Sequence, residues 1–278
     1  DADPASTTSF DTDGFTIGTN DNYNTDDSTY VGWSWKANGG TATGSFSESG
    51  NNPAVSFQAN TTAGFSICTY TGTGGNGSFA HGLGVIPQWV IFKARAGTEN
   101  WPNYQITTGN THGCDLNRNN AQIDNNTLFQ DTSPTSSSVY IGTDSAINAD
   151  GVAYVAYCFT PIQGYSKFGT YEGNGNADGT FVYLGFKPAW LMVKNIDSAN
   201  VWQIYDNKRE PSNPNIKRLN AEVQTAESTS GSDRLDFLSN GFKMRATSGN
   251  INSAHTYIYM AFADSPFVSS KGVPTTAN

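Results

Sequence analysis

The chain has few charged residues, and its basic residues are scattered. Charged residues make up 14% of the 278 positions, against roughly 25% in ordinary soluble domains. The 15 Lys and Arg residues are outnumbered by 24 Asp and Glu residues, which gives a formal net charge of −9. Because there is no cluster of Lys and Arg, a nucleic acid partner is not expected, and an anionic membrane surface is disfavoured for the same reason.

Long apolar runs, paired cysteines and grouped histidines are missing as well. No run approaches the ~18 apolar residues that a membrane span needs, so membrane insertion is not expected, and no signal peptide is visible. An odd number of widely spaced cysteines argues against a disulfide framework and a zinc site, and fits synthesis in a reducing cytosol. The histidines occur singly, which is typical of isolated surface side chains rather than metal ligands or catalytic bases. These residues are Cys68, Cys114 and Cys158, and His81, His112 and His255. Neither a metal ion nor a cofactor is predicted.

An internal repeat is the main feature that the sequence does contain. Residues 70–104 recur as residues 171–205, displaced by 101 positions without a gap. The matches involve rare residue types, which excludes chance. Pro87, Trp89, Lys93 and Trp101 match Pro188, Trp190, Lys194 and Trp202.

A second set of matches marks the end of the repeated unit. Phe15-Thr-Ile-Gly-Thr-Asn and the aromatic segment that begins at Tyr30 recur 124 positions later, and the segment at Tyr154 recurs at Tyr257, 103 positions on. The chain therefore holds two whole units of roughly a hundred residues, preceded by the tail of a third. It is expected to be the carboxy-terminal part of a longer protein.

These matches predict the domain organisation. Residues 1–40 would be the end of a preceding repeat, residues 41–64 a linker with weak strands, and residues 268–278 a tail. The two whole repeats would span residues 65–162 and 163–267. Strand patterns spaced by about 8 to 15 residues with turn signals between them predict an all-β fold of tandem antiparallel β-sandwich domains with little or no helix. Residues 30–35 are predicted as an aromatic strand.

Three features that could indicate chemistry have weak support. The Gly-rich segment that starts at Gly72 is flanked by strands and lacks a following Lys-Ser/Thr, so it is predicted as a turn rather than a phosphate loop. Asp11-Thr-Asp13-Gly14 resembles the start of a calcium loop but lacks the closing bidentate Glu, and bound calcium is left open. Few carboxylates occupy positions that the two units share, so a pair held in register for glycoside cleavage is not evident. The protein is therefore not expected to be an enzyme.

Exposed aromatic side chains are the one binding signal in the sequence. Trp101 and Trp202 lie beside polar loops, and flat aromatic faces can stack on sugar rings. The alternative is that both are core tryptophans, since each follows an apolar strand. Residues 106–138 and 207–239 diverge most between the units and are rich in side chains that both donate and accept hydrogen bonds. We expect these segments to bind a neutral or weakly basic ligand, such as a glycan.

The motifs resemble those of a known group of proteins. Tyr30-Val-Gly-Trp-Ser-Trp-Lys-Ala, Tyr257-Ile-Tyr-Met-Ala-Phe and the stretch 157–194 are similar to an uncharacterised tandem β-repeat family of bacteriophage virion proteins. Members often carry a concanavalin-A-like lectin domain upstream. The resemblance implies a virion location, after synthesis in the host cytoplasm. It supplies no catalytic or binding residues.

Three functional hypotheses follow. The leading one is a tail fibre or another externally exposed virion fibre that binds a host surface receptor such as a glycan. Such a protein would contact other virion proteins and form a homo-oligomer, with a trimer favoured by analogy with fibre proteins. The first alternative is a capsid decoration or tail adaptor protein with no receptor role. The second alternative is a depolymerase of surface polysaccharide.

Overall fold

The computed structural model describes residues 5–12, 14–37 and 42–263. The chain divides into two units, residues 1–35 and 36–278. The described residues are almost entirely strands and loops, with three helices of a single turn each. The prediction of an all-β fold with antiparallel sheets and little helix is confirmed.

The described residues of unit 1 form one hairpin and one helical turn. Its elements are β1 (Thr7–Phe10), β2 (Phe15–Ile17) and α1 (Asp21–Asn24). The two strands pair antiparallel, with Phe10 opposite Phe15. The Asn20 side chain caps α1 by accepting a hydrogen bond from the backbone N–H of Asn22, as expected for Asn at a helix N-terminus.

The first half of unit 2 contains a broad antiparallel sheet and a small one. Its elements are β3 (Ala42–Phe46), β4 (Val55–Asn60), β5 (Phe65–Thr71), β6 (Gly77–Ala80), β7 (Trp89–Ala94), β8 (Pro102–Gln105), β9 (Gly109–Asp115), β10 (Ile123–Asp124), α2 (Asn126–Phe129), β11 (Ser138–Ile141), α3 (Ser145–Asn148) and β12 (Ala153–Phe159). The broad sheet has the order β10-β9-β8-β7-β12-β5-β4-β3, and the small sheet pairs β11 with β6. β3 and β4 extend this sheet, and they lie within residues 41–64, where a linker with weak strands is predicted.

The second half of unit 2 has the same plan with fewer strands. Its elements are β13 (Ser166–Glu172), β14 (Phe181–Tyr183), β15 (Pro188–Asn195), β16 (Gln203–Asp206), β17 (Leu235–Leu238), β18 (Gly241–Met244) and β19 (Thr256–Ala263). One sheet has the order β13-β19-β15-β16 and the other the order β14-β18-β17. The order β13-β19-β15-β16 matches β5-β12-β7-β8 of the first half, strand for strand. Each half buries its own cluster of apolar side chains.

The matched residues of the repeat occupy matched places in these sheets. Trp89 begins β7 and is opposite Phe159, while Trp190 lies near the start of β15 opposite Phe262. Each of these strands pairs with the last strand of its own half. The boundaries 65–162 and 163–267 stay predictions, and the end of the second range and the tail 268–278 lie outside the described residues.

The predicted strand at residues 30–35 is wrong. Residues 28–37 form no strand. Their counterpart β12 is a central strand that pairs with β5 on one side and β7 on the other. Neither neighbour has a counterpart among the described residues of unit 1. Because a strand without partners leaves its backbone N–H and C=O groups unpaired, the aromatic pattern alone does not produce one.

A tyrosine that holds a helical turn recurs in all three copies of the repeat. Its hydroxyl accepts a hydrogen bond from one backbone N–H. The same hydroxyl donates a hydrogen bond to the carbonyl of the residue four positions before that N–H. The tyrosines are Tyr30, Tyr154 and Tyr257, the N–H groups those of Thr25, Ala149 and Ser253, and the carbonyls those of Asp21, Ser145 and Gly249. We call this arrangement the tyrosine clamp. The segments that each clamp closes are therefore ordered turns.

Candidate ligand-binding face

Trp101 lies at the surface of the first half and is partly exposed. The Lys93 ammonium group is 5.6 Å from the centroid of its ring and donates a hydrogen bond to the Glu99 carbonyl at 2.9 Å. An ammonium group over an indole face is an attractive cation–π contact. One face of this ring is therefore already engaged, and a ligand could reach only what remains exposed. The role of Trp101 in binding stays a prediction.

Trp202 is fully buried, which corrects its prediction as an exposed aromatic side chain. Its ring N–H donates to the carbonyls of Asp115 and Arg118 at 3.0 and 3.2 Å. Its ring centroid is 6.3 Å from that of Trp89. All three partners belong to the first half of unit 2. The ring is therefore buried between the two halves, and it has no free face for stacking on a sugar.

A buried lysine lies near this contact. Lys194, the counterpart of Lys93, is fully buried, and its ammonium group donates to the carbonyls of Asn195 and Asn119 at 2.5 and 3.3 Å. Burial lowers its pKa from 10.5 to about 8, and burial raises the pKa of the Cys114 thiol to about 12. Shifted pKa values of this kind mark many active sites. Here they result from enclosure away from solvent, which gives these two groups a structural role.

The histidines are not all surface residues. His81 is fully buried, where its ring nitrogens contact the Thr135 carbonyl at 3.2 Å and the Leu83 N–H at 3.2 Å. Burial lowers the pKa of its imidazole. The prediction of a surface side chain is wrong for His81, because two backbone groups satisfy the ring inside the fold. Among residues 5–12, 14–37 and 42–263, no three His, Cys, Asp or Glu side chains are grouped so as to hold a metal ion.

The two divergent segments are built differently. Residues 106–138 contain β9 and β10, which widen the main sheet of the first half. Residues 207–239 contain mostly loops that are held by arginine–carboxylate pairs. Arg209 contacts Asp206 at 2.6 Å and Glu227 at 2.8 Å, and Arg218 contacts Asp233 at 2.9 Å. Such paired guanidinium groups order long loops, because each can bond several acceptors at fixed geometry.

Two aromatic side chains protrude from the outer side of the sheet β14-β18-β17. Phe181 and Tyr183 are 44% and 60% exposed, while Val182 between them is buried. This alternation is that of a strand with one face on the core. The Lys167 ammonium group lies 5.5 Å from the Tyr183 ring centroid and donates to the Tyr183 carbonyl at 2.7 Å. These contacts hold Tyr183 at the surface.

Charged side chains continue the same outer side. Lys243, opposite Phe181 in the neighbouring strand, contacts Asp178 at 2.6 Å. Arg245 contacts Asp236 at 2.5 Å and Asp178 at 3.3 Å. The hydrogen bond from Lys243 and the neighbouring positive charges hold the pKa of the Asp178 carboxyl below its ordinary value.

A groove adjoins these ion pairs. Its volume is about 410 Å³, and it is lined by Ala177, Asn213, Pro214, Arg234, Asp236 and Arg245. Four of these six positions fall within the divergent segment 207–239. We call the aromatic pair, the ion pairs and this groove together the β14 face. It offers aromatic stacking at one end and hydrogen-bond donors and acceptors at the other.

The whole chain can be placed in a family. A family profile described as a domain of unknown function, DUF7483, matches residues 1–266. The chain belongs to the DUF7483 family. No curated protein and no solved structure matches it. Within the described residues, this DUF7483 chain has no helix long and apolar enough to cross a membrane.

Sequence reasoning missed the β14 face of this DUF7483 chain because the repeat register changes there. A constant displacement of 101 sets Val182 against His81. In the structure Val182 is opposite Phe242, as Phe79 is opposite Val139, so the local displacement is 103. The register is therefore not gapless through this strand. The available signal was the alternation Phe-Val-Tyr itself, which predicts one inward and two outward side chains.

Proposed function

We propose that this protein is an externally exposed virion protein of a bacteriophage, a tail fibre or another fibre, and that it binds a host surface glycan through the β14 face. The observation that carries the proposal is the exposed pair Phe181 and Tyr183. The matched positions of the first half, in the register of the structure, are Ser78 and Ala80. Large aromatic side chains thus replace small ones at outward positions of a shared framework, where they add nothing to the core.

The chemistry of the β14 face suits a sugar. Aromatic faces bind the C–H faces of pyranose rings, and nearby amides, carboxylates and guanidinium groups can satisfy hydroxyl groups. Three cations, Lys243, Arg245 and Arg234, accompany two carboxylates, Asp178 and Asp236, on this face. The net charge of −9 led us to expect a neutral or weakly basic ligand. The local surplus of cations favours a neutral or acidic glycan instead.

The β14 face does not supply the proton donor that a depolymerase needs. A glycosidase needs one carboxylic acid whose pKa is raised so that it can donate a proton. On the β14 face the pKa of Asp178 is lowered, and Asp236 is paired with Arg245 at 2.5 Å. These two carboxylates favour a role in ligand binding over proton transfer for this face.

Virion location and oligomeric state belong to the same proposal. The three cysteines are free and buried, which suits synthesis in a reducing host cytoplasm. A homo-oligomer, with a trimer favoured, would carry several copies of a weak glycan site. Linked sites raise avidity by about 10² to 10⁴ over one site. The alternative of a capsid decoration or tail adaptor protein predicts contacts with virion proteins and no glycan binding.

The test is a glycan array probed with the full chain, with hits confirmed by calorimetry. The variant Phe181→Ser with Tyr183→Ala installs the side chains of the first half and should abolish binding without lowering the melting temperature. Phe46→Ser, which changes another exposed aromatic residue (55% exposed), is the matched control and should bind normally. Antibodies against the chain should label intact phage particles.

Three results would overturn the proposal. Full glycan binding by the double variant would show that the β14 face is not the binding site. Absence of any glycan binding by the chain and by intact particles would favour the structural alternative. Release of reducing ends from host polysaccharide would favour the enzyme.

A further inference from the structure

Unit 1 carries the core side chains of a repeat on its surface. Phe10, Phe15, Tyr23 and Tyr30 are 88%, 45%, 50% and 51% exposed. Their counterparts in the second repeat are Phe237, Phe242, Ile251 and Tyr257, exposed by 6%, 0%, 0% and 0%. The correspondence is structural as well as sequential, since Phe10 is opposite Phe15 as Phe237 is opposite Phe242. We call these four residues the unit 1 apolar face.

The repeats of unit 2 show what covers such a face. Tyr171 of β13 stacks on Tyr257 with ring centroids 4.9 Å apart and packs edge-on against Phe242 at 6.0 Å. Its hydroxyl donates to the Ile251 carbonyl at 2.6 Å. In the first repeat Tyr70 stacks in the same way on its clamp tyrosine at 5.2 Å and donates to the corresponding carbonyl at 2.6 Å. A single tyrosine from the first strand of each repeat therefore covers the equivalent face.

The Gly-rich loop after that tyrosine is bound by an asparagine. The Asn252 side-chain oxygen accepts a hydrogen bond from the Asn174 N–H at 3.2 Å, and its amide nitrogen donates to the Ala246 carbonyl at 2.9 Å. Asn24 occupies the matching position in unit 1, where its amide nitrogen donates to the Gly18 carbonyl at 2.9 Å. This bond gives the Asn24 side-chain amide the same orientation as the Asn252 side-chain amide. The side chain that binds the loop is already in place.

We propose that the unit 1 apolar face is an acceptor surface, and that it binds a polypeptide segment with the pattern of residues 166–194. That segment is a strand whose next-to-last residue is tyrosine, a Gly-x-Gly loop and an apolar strand that starts at Pro-x-Trp. The docked tyrosine stacks on Tyr30 and donates to the Tyr23 carbonyl. Residues 30–35 then become a middle strand, as β19 lies between β13 and β15. A second copy of this chain does not fit as the donor, because its own segments of this pattern are already paired within its sheets.

The test joins the donor segment to the full chain. A copy of residues 163–206 is fused ahead of residue 1 through a flexible linker, which supplies it at an effective concentration on the order of millimolar. Amide hydrogen exchange is then followed at residues 30–35. In the unmodified chain these amides belong to no strand, and in the fusion they should exchange about 100-fold more slowly, because paired strand amides open rarely.

The matched control carries Tyr171→Ser in the added copy only, which leaves the remainder of the protein unchanged. This fusion should show the exchange rates of the unmodified chain. Equal exchange rates in the unmodified chain and in the fusion with the native donor would overturn the proposal. Slow exchange in the unmodified chain that appears only at high protein concentration, together with a dimer in light scattering, would assign the face to a second copy and overturn it as well.

Discussion

Trp101 and Trp202 stand at the same register position of the repeat, but Trp101 is partly exposed and Trp202 is fully buried. The effect of burial on stability can therefore be compared between the two positions. We expect Trp202→Ala to destabilise the fold far more than Trp101→Ala. Trp202 is fully buried and packs 6.3 Å from Trp89. Truncating a buried tryptophan typically costs about 3 to 5 kcal/mol, which combines lost burial with the cavity that remains. Two carbonyls also lose the ring N–H as a donor.

We expect Trp101→Ala to lower the free energy of unfolding by less. Its ring is partly exposed, and its specific contact is the ammonium group of Lys93 at 5.6 Å, worth roughly 0.5 to 1 kcal/mol at an exposed site. The cost of Trp101→Ala should therefore be about 1 kcal/mol. The two variants should differ by at least about 2 kcal/mol, which is large against the total of about 5 to 15 kcal/mol for an ordinary domain.

Urea unfolding followed by circular dichroism measures both variants. Because Trp202 joins the halves of unit 2, Trp202→Ala should also reduce the denaturant slope or split the transition in two, as expected when two parts unfold separately. Trp202→Phe keeps most of the ring but not the N–H, and should lose about 1 to 3 kcal/mol. Equal losses in the two alanine variants, or a Trp202→Ala protein as stable as the wild type, would refute this account of the contact between the halves.

Three further predictions concern groups that the fold buries. Tyr257→Phe removes a hydroxyl that both accepts and donates a backbone hydrogen bond and should lower the free energy of unfolding by about 1 to 3 kcal/mol; no change in urea unfolding would contradict the clamp. The pKa of Lys194 is about 8 in the fold, below its ordinary 10.5, so the unfolded chain binds more protons between these values and stability should rise with pH there, by up to about 3 kcal/mol. Lys194→Met should remove that part of the rise, and identical pH profiles of the two proteins would contradict it. Gly173→Ala would drive a Cβ into the Ser253 carbonyl, whereas a Cβ at Gly231 would meet only the Arg234 guanidinium group, at an ordinary contact distance of 3.8 Å; melting temperatures should fall only for the former, and an equal effect of Gly231→Ala would contradict this.

The repeat and its strand pattern could be predicted because both depend on residues that the two halves share. Which of the two tryptophans is fully buried could not be predicted, because Trp101 and Trp202 stand at the same register position and the difference lies in what each ring contacts. Trp202 meets carbonyls of the other half, some 85 positions away in the chain. The strand predicted at residues 30–35 is absent for the same reason. Its aromatic alternation equals that of β12, but the strands that pair with β12 have no counterpart among the described residues of unit 1. The local sequence pattern indicates which segments can form strands, and pairing with segments distant in the chain decides whether they do.

The tyrosine clamp shows which part of a repeat needs no partner. Tyr30 makes the same two backbone hydrogen bonds as Tyr257, although its ring is 51% exposed and that of Tyr257 is fully buried. All groups of the clamp lie within about ten residues, so closing it costs little loop entropy. The clamp therefore holds its turn before the covering strands are added. An acceptor that is already ordered loses less conformational entropy when a segment binds, and this preorganisation favours binding of the donor segment to the unit 1 apolar face.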